Sequence, residues 1–291
     1  MITRRELFKR SAFLAAFFNL SPLHELFADA AKNKIRIGAC DWSVGKNSDP
    51  AAFEVAKQIG LEGIQINMGS EENKMHLRDK SIQQSYLEIS KKTGVKIGGL
   101  ALGALNDIPY KSDPRTEEWV WDSIDVAANL GVKVILLAFF DKNDLRNDEA
   151  GKREVIRRLK KVAPKAEKKG ITLGIESYLN AEELTDIMQQ VGSKSIKVYY
   201  DFRNSADAGY DVIKEIKFLG KDSICELHMK ENGFLLGEGS LDWKRIGDTL
   251  LEMDYFGGGW MQIEWANPNG ADLVESYKHN LNFLKDIFHY S

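Results

Sequence analysis

Cysteine is scarce in this chain, and the first predicted strand is not followed by a glycine-rich turn. Only two cysteines occur among the 291 residues, Cys40 and Cys225. They fall in predicted strands that lie too far apart for a disulfide, so we expect two separate thiols. Residues 39–45 lack the G-x-G-x-x-G spacing of a dinucleotide site. This absence counts against an open doubly wound sheet.

An excess of basic charge is also missing. The formal net charge is -3, and the basic residues are scattered along predicted helices or confined to the first ten positions. Proteins that bind the phosphate backbone usually present a basic face or stripe. We therefore expect no nucleic-acid partner.

Long apolar runs are missing as well. The apolar stretch 11–20 is shorter than the roughly 20 residues that a transmembrane helix needs, so no permanent membrane anchor is expected. It follows Arg4-Arg5 and precedes the small-residue pattern at 28–30. The segment resembles a twin-arginine export signal, which implies a removable signal peptide over 1–30, a mature domain over 31–291 and a periplasmic or secreted location. An N-terminal amphipathic helix packed on the domain is the alternative.

The chain does contain one unit that recurs along its length. Short β-rich runs alternate with amphipathic helical patterns. The β-rich runs are 35–40, 63–67, 95–101, 132–139, 171–177, 196–201, 223–229 and 260–265. The helical patterns are 50–59, 80–92, 116–130, 152–169, 181–191, 208–218, 243–253 and 272–288. Strict alternation predicts a parallel sheet closed into a single (β/α)8 TIM barrel.

Metal-ligating residue types end four consecutive predicted strands: Glu176, Asp201, His228 and Glu264. In TIM barrels the chemistry lies at these strand ends, and alternation along each strand points all four side chains into the lumen. Oxygen-rich ligation with one imidazole suits a single divalent ion, with Mn²⁺, Mg²⁺ or Co²⁺ favoured and Zn²⁺ also compatible. The alternative is that these charges pair with Lys or Arg, but we find no cationic neighbour in the same predicted strands.

Further polar and aromatic residues near these strand ends are candidates for substrate binding. Trp42 follows the first strand and offers a flat face to a sugar ring, while Gln65 and Asn67 point into the lumen toward substrate hydroxyls. Lys230 shares the strand face of the predicted histidine ligand and is placed to neutralise an oxyanion or position a hydroxyl. Trp265 faces outward by alternation, so we expect it to pack against the helices.

From about residue 35 to 288 the sequence resembles the xylose-isomerase-like barrel superfamily. That group includes sugar isomerases, ketose 3-epimerases, hydroxypyruvate isomerases, inosose dehydratases and endonuclease IV. The motifs that carry the resemblance are Gly174-Ile175-Glu176-Ser177, Tyr200-Asp201-Phe202-Arg203-Asn204, His228-Met229-Lys230, Gly237-Glu238-Gly239-Ser240-Leu241-Asp242-Trp243 and Gln262-Ile263-Glu264.

The resemblance implies one divalent metal bound by Glu176, Asp201, His228 and Glu264, and Asn204 as a further substrate-binding residue. It also implies that Glu176 and Glu264 are catalytic and exchange protons at a carbon next to a carbonyl. A Lewis acid would stabilise the resulting enediolate. Isomerisation, epimerisation and β-elimination share that step. A homodimer is one assembly that the resemblance suggests.

Some positions depart from the pattern of relatives. Asn204 stands where ketose epimerases commonly have a histidine, residues 230–234 lack their arginine, and Gln65 replaces a frequent glutamate. A standard free-ketohexose epimerase is therefore disfavoured. Endonuclease IV uses several histidines for three metals, and this chain has five histidines in all, so DNA repair is disfavoured too.

The sequence predicts a metal-dependent sugar isomerase or epimerase that acts through an enediolate on a sugar or oxidised sugar derivative. Two alternatives stay open. One is a 3-keto-glycoside lyase or dehydratase that uses the same metal site. The other is a non-catalytic carbohydrate-binding accessory subunit that keeps the fold, against which the complete ligand set counts.

Overall fold

A closed parallel barrel forms the centre of the protein. The computed structural model describes residues 36–255 and 259–288. Within these ranges the strands follow one another around the barrel in chain order, and the last pairs in parallel with the first. They are β1 (Arg36–Cys40), β2 (Gly63–Asn67), β3 (Lys96–Leu102), β4 (Val134–Phe139), β5 (Thr172–Ser177), β6 (Ile196–Asp201), β7 (Ile224–Lys230) and β8 (Trp260–Glu264). The predicted (β/α)8 barrel is confirmed, whereas the predicted export signal lies outside the described residues.

Helices cover the outside of the barrel between successive strands. They are α1 (Ala52–Ile59), α2 (Lys80–Thr93), α3 (Arg115–Leu130), α4 (Glu149–Lys169), α5 (Ala181–Val191), α6 (Phe202–Asp207), α7 (Val212–Leu219), α8 (Trp243–Glu252) and α9 (Leu273–Ile287). Several end at a glycine with left-handed backbone, as at Gly60 with φ 92° and Gly170 with φ 64°. Glycine adopts this conformation without a Cβ clash and lets the chain turn toward the next strand.

The helix predicted over 208–218 corresponds to α7, which begins four residues later than predicted, and an additional helix that was not predicted, α6, precedes it. The Asp201 side chain accepts a hydrogen bond from the Asn204 amide at 2.8 Å and starts α6 immediately after β6. Asp211 accepts from the amides of Ile213 and Lys214 and starts α7. Aspartate at an N-cap satisfies amide groups that have no partner inside the helix, so each one begins a new helix.

Alternation along the strands divides the core as the sequence predicts. Ile175, Tyr200, Leu227 and Ile263 are buried in the apolar layer between strands and helices. The residues that follow or precede them therefore face the lumen. Both cysteines are free thiols, as expected. No helix in the described part of the chain is long and apolar enough to cross a membrane.

Closure of the barrel between β1 and β8 depends on a small residue at Gly38. This glycine lies opposite Gly63 on one side and Gln262 on the other. A Cβ at this position would lie 2.9 Å from the Gly63 carbonyl oxygen, which is backbone and cannot move aside cheaply. At Gly103, in contrast, the nearest atom would be at 3.5 Å, an ordinary contact.

Gly38→Ala is expected to destabilise the protein by about 1–3 kcal/mol, the usual cost of overpacking. Thermal and urea unfolding of the variant measure this change, with Gly103→Ala as the matched control. We expect the control to remain within about 0.5 kcal/mol of the parent protein. Equal stability of Gly38→Ala and the parent would contradict the register at which the barrel closes.

Candidate metal centre

Glu176, Asp201, His228 and Glu264 meet at the carboxyl end of the barrel and form the carboxylate–histidine cluster. They come from β5, β6, β7 and β8, and one ligand atom of each lies within 4.8 Å of all the others. All four side chains are buried. The predicted set of metal-ligating residues is thus brought together by the fold, because each residue ends a strand on its lumenal face.

The imidazole of His228 is held at both ring nitrogens. Its Nε2 lies 2.9 Å from Gln65 Oε1 and its Nδ1 lies 2.9 Å from Glu176 Oε1. The amide oxygen of Gln65 also accepts a hydrogen bond from the Cys40 thiol at 3.2 Å, and burial raises the pKa of that thiol to about 12. Without a metal, a protonated Nδ1 donates to Glu176. In the neutral form, Nε2 donates its proton to Gln65 and the lone pair of Nδ1 faces the carboxylates. This is the orientation that a metal-binding histidine needs.

A lysine on β7 lies beside the cluster. Lys230 Nζ is 3.1 Å from Glu264 Oε2, 3.7 Å from Asp201 Oδ2 and 3.2 Å from Asn204 Oδ1. The expectation that these strands carry no cationic neighbour is therefore wrong, because β7 extends one residue further than predicted and its last side chain turns into the lumen. A single ammonium group still leaves three carboxylates with an excess of negative charge.

The buried carboxylates of the cluster shift one another's ionisation. Burial raises the pKa of Asp201 to about 7, and the charges of Glu176 and Glu264 add to this rise while Lys230 opposes it. Burial also acts to raise the pKa of Glu264, but Lys230 and His228 outweigh it and hold that pKa below its ordinary value. The pKa of one carboxyl group is thus raised while that of its neighbour is lowered. These opposite pKa shifts indicate that the cluster lacks positive charge.

The cluster fits a divalent ion by its charge and by its carboxylate oxygens. Asp201 Oδ2 is buried and accepts no hydrogen bond from any described residue, and the partner of Glu264 Oε2 is the Lys230 ammonium at 3.1 Å. Buried polar atoms normally have a hydrogen-bond partner, and carboxylate oxygens that converge with an imidazole match the donor set of a divalent metal. The structure supports a metal site here without selecting among Mn²⁺, Mg²⁺, Co²⁺ and Zn²⁺.

Two of the predicted substrate-binding residues hold the carboxylates in place. The Trp42 indole Nε1 donates to Glu264 Oε1 at 2.7 Å. The Asn204 Nδ2 donates to Glu176 Oε1 at 3.3 Å. Each of these side chains thus binds one oxygen of a glutamate in the cluster. Trp42 orients Glu264 and Asn204 orients Glu176 before any ligand is present.

A cavity of about 440 Å³ opens above the cluster. Glu176 and Glu264 line it, together with Trp42, Asn67 and Lys230, as the predicted substrate site requires. A volume of this size is typical of small-molecule sites. Apolar side chains of β3 and β4 face the cavity, but the loops that follow these strands contribute Asp107 and Asp141 to its lining.

Gln65 and Trp265 lie where the sequence did not place them. Gln65 is fully buried beneath His228 and is not among the residues that line the cavity. Trp265 was expected to pack against the helices, but its side chain is 46% exposed and lines the cavity. The change follows from its backbone, which turns to φ 49° directly after β8 and breaks the alternation.

Two supporting residues were not anticipated. Cys40 shares the lumenal face of β1 and lies 3.4 Å from His228 Nε2, a position that its alternation with Gly38 could have indicated. Asp41 is buried and accepts hydrogen bonds from the amides of Asn67 and Ser48. It therefore joins the loop that follows β1 to the end of β2, a contact that no local sequence pattern indicates.

Comparison with known proteins agrees with this architecture. A family model described as xylose isomerase-like TIM barrel matches residues 53–287. A 2-epi-5-epi-valiolone 7-phosphate 2-epimerase from Actinoplanes sp. is 25% identical, over 84% of this chain and 98% of the relative. An L-ribulose-5-phosphate 3-epimerase from Escherichia coli is 23% identical, over 77% of this chain and 86% of the relative.

Solved structures show the same fold. A D-psicose 3-epimerase from Clostridium cellulolyticum H10, solved with D-tagatose, superposes with a TM-score of 0.74 at 18% identity, covering 87% of this chain and 99% of its own. A 3-keto-D-glucoside 4-epimerase from E. coli superposes with a TM-score of 0.71 at 15% identity, covering 87% of this chain and 100% of its own.

Gln65→Leu is expected to weaken the binding of Mn²⁺ by about 10–100-fold, because His228 loses the acceptor that fixes its tautomer. Calorimetric titration of the metal-free protein measures this affinity. Gln83→Leu is the matched control, since Gln83 is also buried but its amide donates to the Leu77 carbonyl. Equal affinities of Gln65→Leu and the parent would show that Gln65 does not orient the histidine.

Proposed function

We propose that this chain, which belongs to the xylose isomerase-like TIM barrel family and is an enzyme of the sugar isomerase and epimerase class, is metal-dependent. It moves a proton at a carbon next to a carbonyl of a sugar or oxidised sugar derivative, through an enediolate. The observation that carries this proposal is the convergence of three buried carboxylates and one imidazole within 4.8 Å, bordering a cavity.

Glu176, Asp201, His228 and Glu264 would hold the ion. When bound there, a divalent metal supplies Lewis-acid polarisation of a carbonyl oxygen, which makes the neighbouring C–H more acidic. The four residues have the donor types that such an ion prefers, and their ligand atoms lie within 4.8 Å of one another.

Glu176 and Glu264 are the proton-transferring residues in this proposal. Only these two members of the cluster line the cavity, so a substrate reaches their oxygens before it reaches Asp201 or His228. The depressed pKa of Glu264 keeps it ionised, as a general base must be. The hydrogen bond from Trp42 occupies Oε1 of Glu264, and Oε2 lies 3.1 Å from Lys230, so both oxygens are held in fixed positions beside the cavity.

Lys230, Asn67 and Trp42 would position the substrate. Lys230 is cationic, since Glu264 and Asp201 raise its pKa well above the ordinary value despite burial. It can bind a hydroxyl or an oxyanion beside the reacting carbon. The Asn67 amide reaches the same space from the opposite wall, where it now donates to Asn47 at 2.9 Å.

The charge of the cavity favours an unphosphorylated substrate. Its described lining contains the acidic residues Asp107, Asp141, Glu176 and Glu264, and Lys230 is the one lysine or arginine among them. That lysine is already paired with Glu264. A phosphate group needs several donors or cations around it, so we propose that this chain differs in substrate from relatives named for phosphorylated sugars.

Export through the twin-arginine route is part of the proposal. Removal of residues 1–30 would leave the barrel as the mature protein, in a compartment where glycans and glycosides are more accessible than phosphorylated intermediates. N-terminal sequencing of the exported protein tests this, and replacing Arg4 and Arg5 together by lysine is expected to block export.

Exchange of solvent deuterium into sugars tests the proposed reaction. The Mn²⁺-loaded protein is incubated in D₂O with D-psicose, D-tagatose, D-fructose and methyl 3-keto-glucosides, and NMR follows the carbons beside the carbonyl. We expect exchange with at least one of them, reduced by about 10²–10⁴-fold in Glu176→Gln and in Glu264→Gln. Glu88→Gln, on the exposed face of α2, is the control.

Binding of sugars without any exchange would contradict the enzymatic proposal. In that case the carbohydrate-binding subunit becomes the better interpretation. Formation of an unsaturated product would instead identify elimination, which starts from the same proton abstraction.

A further inference from the structure

We propose that Trp265 forms a second subsite, which binds the aglycone ring of a glycoside while the oxidised sugar ring lies at the carboxylate–histidine cluster. The inference rests on the proposed function and deepens it, because it names the substrate as a glycoside rather than a free ketose. The proposal is based on the backbone conformation of Trp265, the solvent exposure of its side chain and its position in the cavity.

The backbone of Trp265 is in the left-handed region, with φ 49°. For a bulky residue this conformation is unfavourable, and it persists only where the surroundings impose it. Here the Gly233 amide donates to the Trp265 carbonyl at 3.1 Å, which ties the loop after β7 to the loop after β8. An extended residue at this position would direct its side chain toward the helices, so the left-handed turn brings the indole to the cavity.

The exposure of Trp265 is the second observation. Its side chain is 46% exposed although it is among the largest apolar groups in the protein. Phe234, the neighbour of Gly233 in the same tied pair of loops, is 55% exposed. An indole that is exposed to this extent contributes little to the core, so its face is available to a bound group.

Position within the cavity identifies the kind of group. Trp265 directly follows Glu264, so its subsite adjoins the carboxylate that transfers the proton. Phe140 and Tyr178 also line the cavity, with ring centroids 4.9 Å apart in an edge-to-face pair. The cavity therefore has the two glutamates for a reacting sugar and aromatic surfaces on two sides, Trp265 after β8 and the Phe140–Tyr178 pair after β4 and β5.

A flat ring is the ligand that such a surface prefers. Indole faces pack against the C–H groups of a sugar ring or stack on an aryl ring. A free monosaccharide at the cluster would leave Trp265 in water. A glycoside presents a second ring on the far side of the glycosidic oxygen and would cover it.

Exchange kinetics with matched glycosides test the subsite. The substrates are 3-keto-β-D-glucosides with methyl, phenyl and glucosyl aglycones, and the readout is kcat/KM for deuterium exchange by the Mn²⁺-loaded protein. We expect the phenyl or glucosyl compound to exceed the methyl compound by about five- to tenfold, the size of a ring-stacking contribution. Trp265→Ala should remove this preference and leave the methyl compound unchanged.

Trp121→Ala is the matched control, because Trp121 on α3 is 43% exposed but lies away from the cavity. It should retain the aglycone preference. Equal loss for all three substrates in Trp265→Ala, or no aglycone preference in the parent protein, would overturn the proposal. So would a change of Trp265→Ala from dimer to monomer by light scattering without loss of preference, since the indole would then belong to a subunit interface.

A binding measurement separates this proposal from the proposed function. Saturation-transfer NMR with phenyl β-D-glucoside, which lacks the keto group, reports contact of the phenyl ring without any reaction. Contact that is present in the parent protein and lost in Trp265→Ala supports the subsite even if no substrate exchanges deuterium. Absence of such contact in the parent protein counts against the subsite even if exchange occurs.

Discussion

Repulsion among three buried carboxylates is the constraint on which the site depends. At an effective dielectric constant of about 20, two like charges about 4 Å apart repel by about 4 kcal/mol. The ligand atoms of Glu176, Asp201, His228 and Glu264 all lie within 4.8 Å of one another, and Lys230 offsets only part of the charge. The barrel can hold such an arrangement because each carboxylate is fixed at the end of a different strand. The same repulsion would favour a divalent cation as the occupant of the site, as the proposed function requires.

Neighbouring side chains fix the orientation of the residues in the carboxylate–histidine cluster. Gln65 and Cys40 contact Nε2 of the His228 imidazole, so that Nδ1 points toward the carboxylates. Trp42 and Asn204 each bind one glutamate oxygen. Glu176 and Glu264 remain accessible from the cavity, while the other two ligands lie deeper. In the proposed reaction all four residues would hold the metal, and the two glutamates that border the cavity would also transfer the proton.

Successive side chains of a strand point to opposite faces of the sheet. This alternation explains why much of the candidate site could be predicted from the sequence. Glu176 and His228 could be assigned to the lumen because each ends a regular strand whose neighbours are apolar. The interpretation was wrong where local backbone departs from that regularity. Trp265 follows a left-handed turn, the two helices after β6 begin at separate aspartate caps, and β7 continues to Lys230. The depth of Gln65 depends on strand stagger in the closed barrel, which no local pattern records.

The central claim is that one metal ion lies among the four strand-end residues. Anomalous diffraction from crystals of the protein purified without chelator and soaked in Mn²⁺ tests it most directly. We expect a single anomalous peak within about 2.0–2.5 Å of atoms from Glu176, Asp201, His228 and Glu264. Elemental analysis of the same protein should give about one ion per chain. A well-ordered cluster with no peak, and with Lys230 still paired to Glu264, would contradict it.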